Sequence, residues 1–60
     1  MRFIINTNKR EYLSFNGYEC KVVTIRDDGF VEVYVPAFTS MIILAQEELI
    51  DEWGFNIGSN

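Results

Sequence analysis

Glu47, Glu48, Asp51 and Glu52 form the densest group of ionisable side chains in the sequence. Carboxylates so close together could hold a hard cation through oxygen, or divide acid and base work between them. On a helix, Glu48 and Glu52 lie one turn apart, as do Glu47 and Asp51. No loop with calcium-site spacing accompanies them, because Asp27-Asp28-Gly29 is too short to be one. The paired acids of glycoside hydrolysis need a cleft that 60 residues do not easily build. The group therefore reads as a charged face, with no metal and no cofactor. There is no histidine, which removes the commonest proton shuttle. The single cysteine, Cys20, falls in a predicted strand with no base to activate it, and reads as a buried structural thiol. Ser14, Ser40 and Ser59 have no base in view, and no phosphate-cradling glycine loop is present. An enzyme is not expected.

Cations and aromatics make a second group. Arg2, Lys9, Arg10, Lys21 and Arg26, with Tyr12, Tyr18, Phe30 and Tyr34 as stacking surfaces, could form a small platform for single-stranded nucleic acid, with Arg10, Lys21, Arg26, Phe30 and Tyr34 at its centre. The favoured reading places Tyr12, Tyr18 and Phe15 in the core and leaves the cations as ordinary surface charge. A net charge of −4 gives that platform poor long-range attraction. The placement of charge says more than the total. Residues 1–26 carry all five cations and two anions, whereas residues 27–60 carry seven anions and no cation. The acidic face has no cation on its own helix to balance it, so it suits docking to a basic protein surface. Trp53, Phe38 and Tyr34 are the matching aromatic anchors, since such rings dominate interface energies. Trp53 reads equally well as a core residue.

With 48% apolar and 23% charged residues the chain is globular, and 60 residues make one small domain, 1–60. The longest apolar run, Met41-Ile42-Ile43-Leu44-Ala45, is far short of a membrane span. A lone cysteine with no secretory signal points to the cytoplasm, and a start at Met1 suggests a complete product.

Residues 2–5 read as a short strand, and residues 12–15 as another closed by Asn16-Gly17. The clearest signal runs from Tyr18 to Pro36, where two β-branched and aromatic runs flank Asp27-Asp28-Gly29. A two-residue turn would set each apolar residue against a polar one. A three-residue loop instead opposes Ile25 to Val31 and Val23 to Val33, which makes one uniformly apolar face. That register predicts a core face of Val23, Ile25, Val31 and Val33, and an outer face of Val22, Thr24, Arg26, Phe30, Glu32 and Tyr34. Residues 37–40 read as a loop and residues 41–44 as a buried strand. A short helix over residues 45–53 would put Glu47 and Glu48 in a favourable first turn and line up Leu49, Ile50 and Trp53. Gly54 would cap it.

The predicted fold is mainly β, with four or five short antiparallel strands and one short C-terminal helix. Residues 17–25, the Asp27-Asp28-Gly29 turn, the strand over 30–35 and the Glu47-Glu48-Leu49-Ile50 ending resemble an SH3-like small β-barrel. The resemblance covers about half the chain. It implies a binding role, to peptides, protein surfaces or nucleic acids. The tandem tryptophan of peptide-binding SH3 domains is absent, so a proline-rich ligand is not implied. The expected function is a non-catalytic protein-binding module or small regulator that docks on a larger protein with a basic surface. The alternative is nucleic-acid binding. Exposed strand edges and oppositely charged halves also leave room for a homo-oligomer.

Overall fold

The computed structural model describes residues 2–51 and Gly54. Five antiparallel strands form one curled sheet, a half-barrel: β1 (Phe3–Ile5), β2 (Glu19–Ile25), β3 (Phe30–Val35), β4 (Ser40–Ala45) and β5 (Leu49–Ile50). Their order across the sheet is β4-β3-β2-β1-β5. Three 3-10 segments punctuate the chain, at Arg10–Phe15, Pro36–Phe38 and Gln46–Glu48.

Period-two alternation builds the core. Phe3 and Ile5 of β1, Val31, Val33 and Val35 of β3, Ile42 and Leu44 of β4 and Leu49 of β5 all turn inward around Cys20. Tyr12, Phe15 and Val22 pack against this cluster. Each fully buried aliphatic contributes about 1.5–3 kcal/mol of transfer free energy, which matters in so short a chain.

The β2–β3 hairpin has the expected three-residue loop. Ile25 opposes Val31, Arg26 N–H donates to Phe30 O at 2.8 Å, and Gly29 N–H donates to Arg26 O at 3.1 Å. Gly29 takes the left-handed conformation at φ 89°, as a type I turn with a bulge requires. Asp28 Oδ1 accepts the Phe30 N–H at 3.1 Å and fixes the turn. Further from the loop the register departs from expectation. A bulge between Val22 and Thr24 brings Val22, not Val23, opposite Val33. Val23 is the extra residue and stays 54% exposed, and Val22 turns toward the core. Ile25 remains 63% exposed, with no other element among the described residues reaching over the open end of the hairpin. The predicted core face of β2 therefore becomes Cys20 and Val22.

Two other expectations are corrected. Residues 12–15 are not a strand. Tyr12 N–H donates to Lys9 O and Asn16 N–H to Leu13 O, the i→i+3 pattern of a 3-10 helix. That geometry stacks Tyr12 and Phe15 on one side, where both are half-buried. The predicted helix over 45–53 is absent from its described part. Gln46–Glu48 is a single 3-10 turn, and Leu49 and Ile50 pair with Ile5 and Ile4 of β1. Completing the β1 ladder and burying Leu49 outweighs a helix too short to be stable alone. Glu52 and Trp53 lie outside the described residues.

Candidate functional site

With the helix replaced by a turn and a strand, its acids do not share a face. Glu48 points inward, with its side chain only 13% exposed. One carboxylate oxygen accepts the hydroxyl of Thr7, and the other accepts Ala45 N–H at 2.7 Å. Lys9 Nζ lies 3.3 Å away. The Ala45 methyl group has no atom that can accept in return, so this is half of a capping box. Burial alone would push the Glu48 carboxyl up, but the hydrogen bonds from Thr7, Ala45 and Lys9 and the Lys9 charge together hold it below its ordinary value.

Thr7 is the hub on the other side of this contact. It is buried, its N–H donates to Asn16 Oδ1 at 2.7 Å, and its carbonyl accepts Asn16 Nδ2 at 2.9 Å. Its hydroxyl also accepts Lys9 N–H at 3.0 Å. Asn6 N–H donates to Glu48 O at 2.8 Å. Glu48 is thus a structural latch between residues 6–9 and the turn before β5. Glu47 is exposed and Asp51 half-buried, on either side of it.

The aromatics come together across a separation that no sequence period marks. Phe38, carried by the Pro36–Phe38 turn, lies 4.6 Å from the Phe15 ring and 4.9 Å from the Tyr18 ring. Tyr12 adds an edge-on contact with Phe15 at 6.0 Å. Phe38 remains 38% exposed and Tyr18 45%, and Leu13 is exposed on the same 3-10 segment. Thr39 holds a left-handed conformation at φ 48° as the turn ends, and its hydroxyl donates to Phe38 O at 2.7 Å. Phe38 is the only member of this cluster among the predicted anchors. Tyr12, Tyr18 and Phe15 read in sequence as core residues; Tyr12 and Phe15 do pack against the core, whereas Tyr18 stays exposed and turns to Phe38.

Tyr34 stands apart, half-buried on the outer face of β3, with Lys21 opposite it on β2 and Met41 on β4. Phe30 shares that face, and Lys9 Nζ lies 5.2 Å from its ring centre. Glu32 lies between Phe30 and Tyr34, so a carboxylate interrupts the row of rings. Arg26 pairs with Asp28 at 2.9 Å, and Arg2 with Glu19 at 3.2 Å. Three of the five cations are therefore engaged internally. Arg10 is exposed and lies on the other segment, at the start of the 3-10 helix.

Cys20 is fully buried, and burial pushes its thiol up to about 11. An open depression of about 490 Å³ at the hairpin tip is lined by five consecutive residues, Thr24, Ile25, Arg26, Asp27 and Asp28. Among the described residues no group of three or more His, Cys, Asp or Glu could hold a metal ion. No helix among them is long and apolar enough to cross a membrane. Comparison with family models, with curated proteins and with solved structures finds no match for the chain.

Proposed function

We propose that the chain is a non-catalytic protein-binding module, and that its anchor is the exposed ring cluster of Phe38, Tyr18 and Phe15. The observation that carries this is the meeting of Phe15 and Tyr18 with Phe38, from a segment twenty residues further on, while Phe38 and Tyr18 stay more than one-third exposed. Rings held against one another lose little freedom on binding and offer large contact area, which is what interface hot spots need. The surplus of acid in residues 27–60, together with the internal engagement of three cations, favours a partner with a basic surface. Glu47 and Asp51, and Glu52 after them, would act on the rate of encounter more than on affinity. Glu48 has no part in docking, because it is used inside.

Five short antiparallel strands, the Asp27-Asp28-Gly29 turn and the pairing of Leu49–Ile50 with β1 support assignment to the SH3-like small barrels. The nucleic-acid alternative is weaker, since Glu32 divides Phe30 from Tyr34 and Arg26 is paired. The test is capture from an extract of the cells that make the protein, with wild type against a Tyr18→Ala, Phe38→Ala double variant. Loss of a specific partner, with an unchanged circular dichroism spectrum, supports the proposal. Retention of that partner by a folded double variant removes the anchor. Binding of short single-stranded DNA or RNA at tens of micromolar protein in low salt would favour the alternative.

A further inference from the structure

The half-barrel leaves β4 at the end of the sheet. Among the described residues it pairs with β3 alone. The other outer strand, β5, is only two residues long and is followed at once by Asp51, which is how proteins protect an edge. Among the described residues β4 has no such protection. Its six residues, Ser40-Met41-Ile42-Ile43-Leu44-Ala45, contain no charge, proline or glycine. The uncharged stretch extends over residues 33–46.

The direction of the free backbone groups follows from the hairpin. The Phe30 carbonyl faces β2, where it accepts from Arg26. Alternation along β3 then turns Val31, Val33 and Val35 toward β4, and their partners Leu44, Ile42 and Ser40 toward β3. Met41, Ile43 and Ala45 are left pointing outward. The Ala45 N–H is already held by Glu48. The outward donors that remain in the strand are the N–H groups of Met41 and Ile43, with their carbonyls beside them.

We infer that β4 pairs antiparallel with β4 of a second copy about a two-fold axis, with Ile42 opposite Ile42 and Met41 opposite Ile43. A two-fold pairing must set core-side residues against core-side residues, which permits only registers that match odd with odd and even with even positions. Centring on Ile43 sets Met41 against Ala45, whose donor Glu48 occupies. Centring on Met41 sets Ile43 against Thr39, which is left-handed and outside the strand. Centring on Ile42 uses both free donors and both carbonyls from each copy. It also joins Met41 and Ile43, which are 49% and 36% exposed, into one apolar row across the junction. In each of the two symmetry-related rows Tyr34 continues beyond Met41 at one end, and Glu32 follows Ile43 at the other.

Charge and area both bear on the occupant. Each copy carries −4, and a strand with no charge of its own is where two such chains can meet with the least repulsion between like charges. A standard stable interface takes about 800 Å² from each partner. That is close to one-fifth of the 4164 Å² surface of this chain, more than a six-residue edge supplies. The dimer is therefore weak, with a dissociation constant on the order of 10–100 µM. It does not use the Phe38 cluster, so it stands or falls separately from that docking proposal.

Sedimentation equilibrium from 10 µM to 1 mM tests it, on wild type, Ile43→Lys and Ile43→Pro. Lysine places a charge at the junction. Proline removes the outward donor and leaves the β3 ladder intact, which keeps the test valid if one variant fails to fold. Wild type should approach a dimer mass toward the top of this range, and each folded variant should show a dissociation constant raised at least tenfold. A monomer at 1 mM, or a dimer unaffected by both folded variants, overturns the proposal. The register is tested by oxidising single-cysteine variants in a Cys20→Ala background. Ile42→Cys should crosslink between copies faster than Ser40→Cys or Leu44→Cys, and the reverse order overturns the register.

Discussion

Removing the Glu48 carboxylate should destabilise the fold far more than removing any exposed acid. Glu48→Ala deletes the acceptor for the Thr7 hydroxyl and for Ala45 N–H, and deletes the partner of Lys9. Hydrogen bonds to a charged group contribute about 1.5–3 kcal/mol each, and less than the sum when they share one carboxylate. The Lys9 ion pair adds little, at most about 1 kcal/mol, because the lysine side chain is 37% exposed. A loss of about 3 kcal/mol follows from these terms. Against a total of roughly 3–9 kcal/mol for a chain of this length, that is a third of the stability or more. At about 4–8 °C per kcal/mol, Tm should fall by roughly 12–24 °C. Glu48→Gln keeps one carbonyl acceptor and should lose about half as much. Glu11→Ala, at an exposed position, should stay within about 0.5 kcal/mol of wild type.

The pH dependence carries the sign independently. The folded Glu48 carboxyl lies below its ordinary 4.5, so its contribution is complete above that pH. It is lost as pH falls through the folded value, where the proton breaks the ion pair and the accepted hydrogen bonds. Urea denaturation of wild type from pH 7 to pH 3 should show this acid-side loss, and Glu48→Gln should flatten it. If Glu48→Ala matches Glu11→Ala in stability, and the acid-side slopes of wild type and Glu48→Gln coincide, the latch contributes nothing to stability.

Three further outcomes follow from particular side chains. Cys20, fully buried with its thiol at about 11, should react with a disulfide reagent at pH 8 only on unfolding; fast labelling of the native protein would contradict its burial. Gly29→Ala meets no neighbouring atom but forces an L side chain to φ 89°, so chemical denaturation should show a loss of about 1–2 kcal/mol. Thr39→Gly should raise stability by about 1 kcal/mol, since a β-branched residue is disfavoured at φ 48°, and a loss instead would show that its hydroxyl bond to Phe38 O outweighs the strain.

The hairpin was legible because a slip of one residue at Ile25 and Val31 would have mixed apolar with polar partners, so sequence pattern and physical cost agreed. The bulge was not, because Val22 and Val23 are the same residue type and either can face inward. What separates them is the path of β2 from β3 across to β1, where Cys20 must meet Phe3. That is a tertiary demand, and no local pattern records it. The acidic turn failed in a more instructive way. Glu47 and Glu48 are good residues for the start of a helix, and Glu48 does cap the turn through Ala45 N–H. The same carboxylate is taken by Thr7, forty-one residues away, and Asn6 takes its carbonyl. Those contacts stop the turn after Gln46–Glu48 and release Leu49 into β5.

Function follows the same division. Acids that the sequence groups by spacing are separated once one of them is drawn inside, so charge density along the chain is a poor guide to the docking surface. The rings show the converse. Phe15, Tyr18 and Phe38 are unrelated by any short-range period, yet the curl of the sheet brings the segment before β2 against the turn after β3. Because Glu48 also occupies the last outward donor of β4, the latch that closes the fold sets the register open to a second copy. A Glu48→Ala variant that still folds should therefore free the Ala45 N–H and let crosslinking spread from Ile42→Cys to Ile43→Cys, the position on which the next register centres.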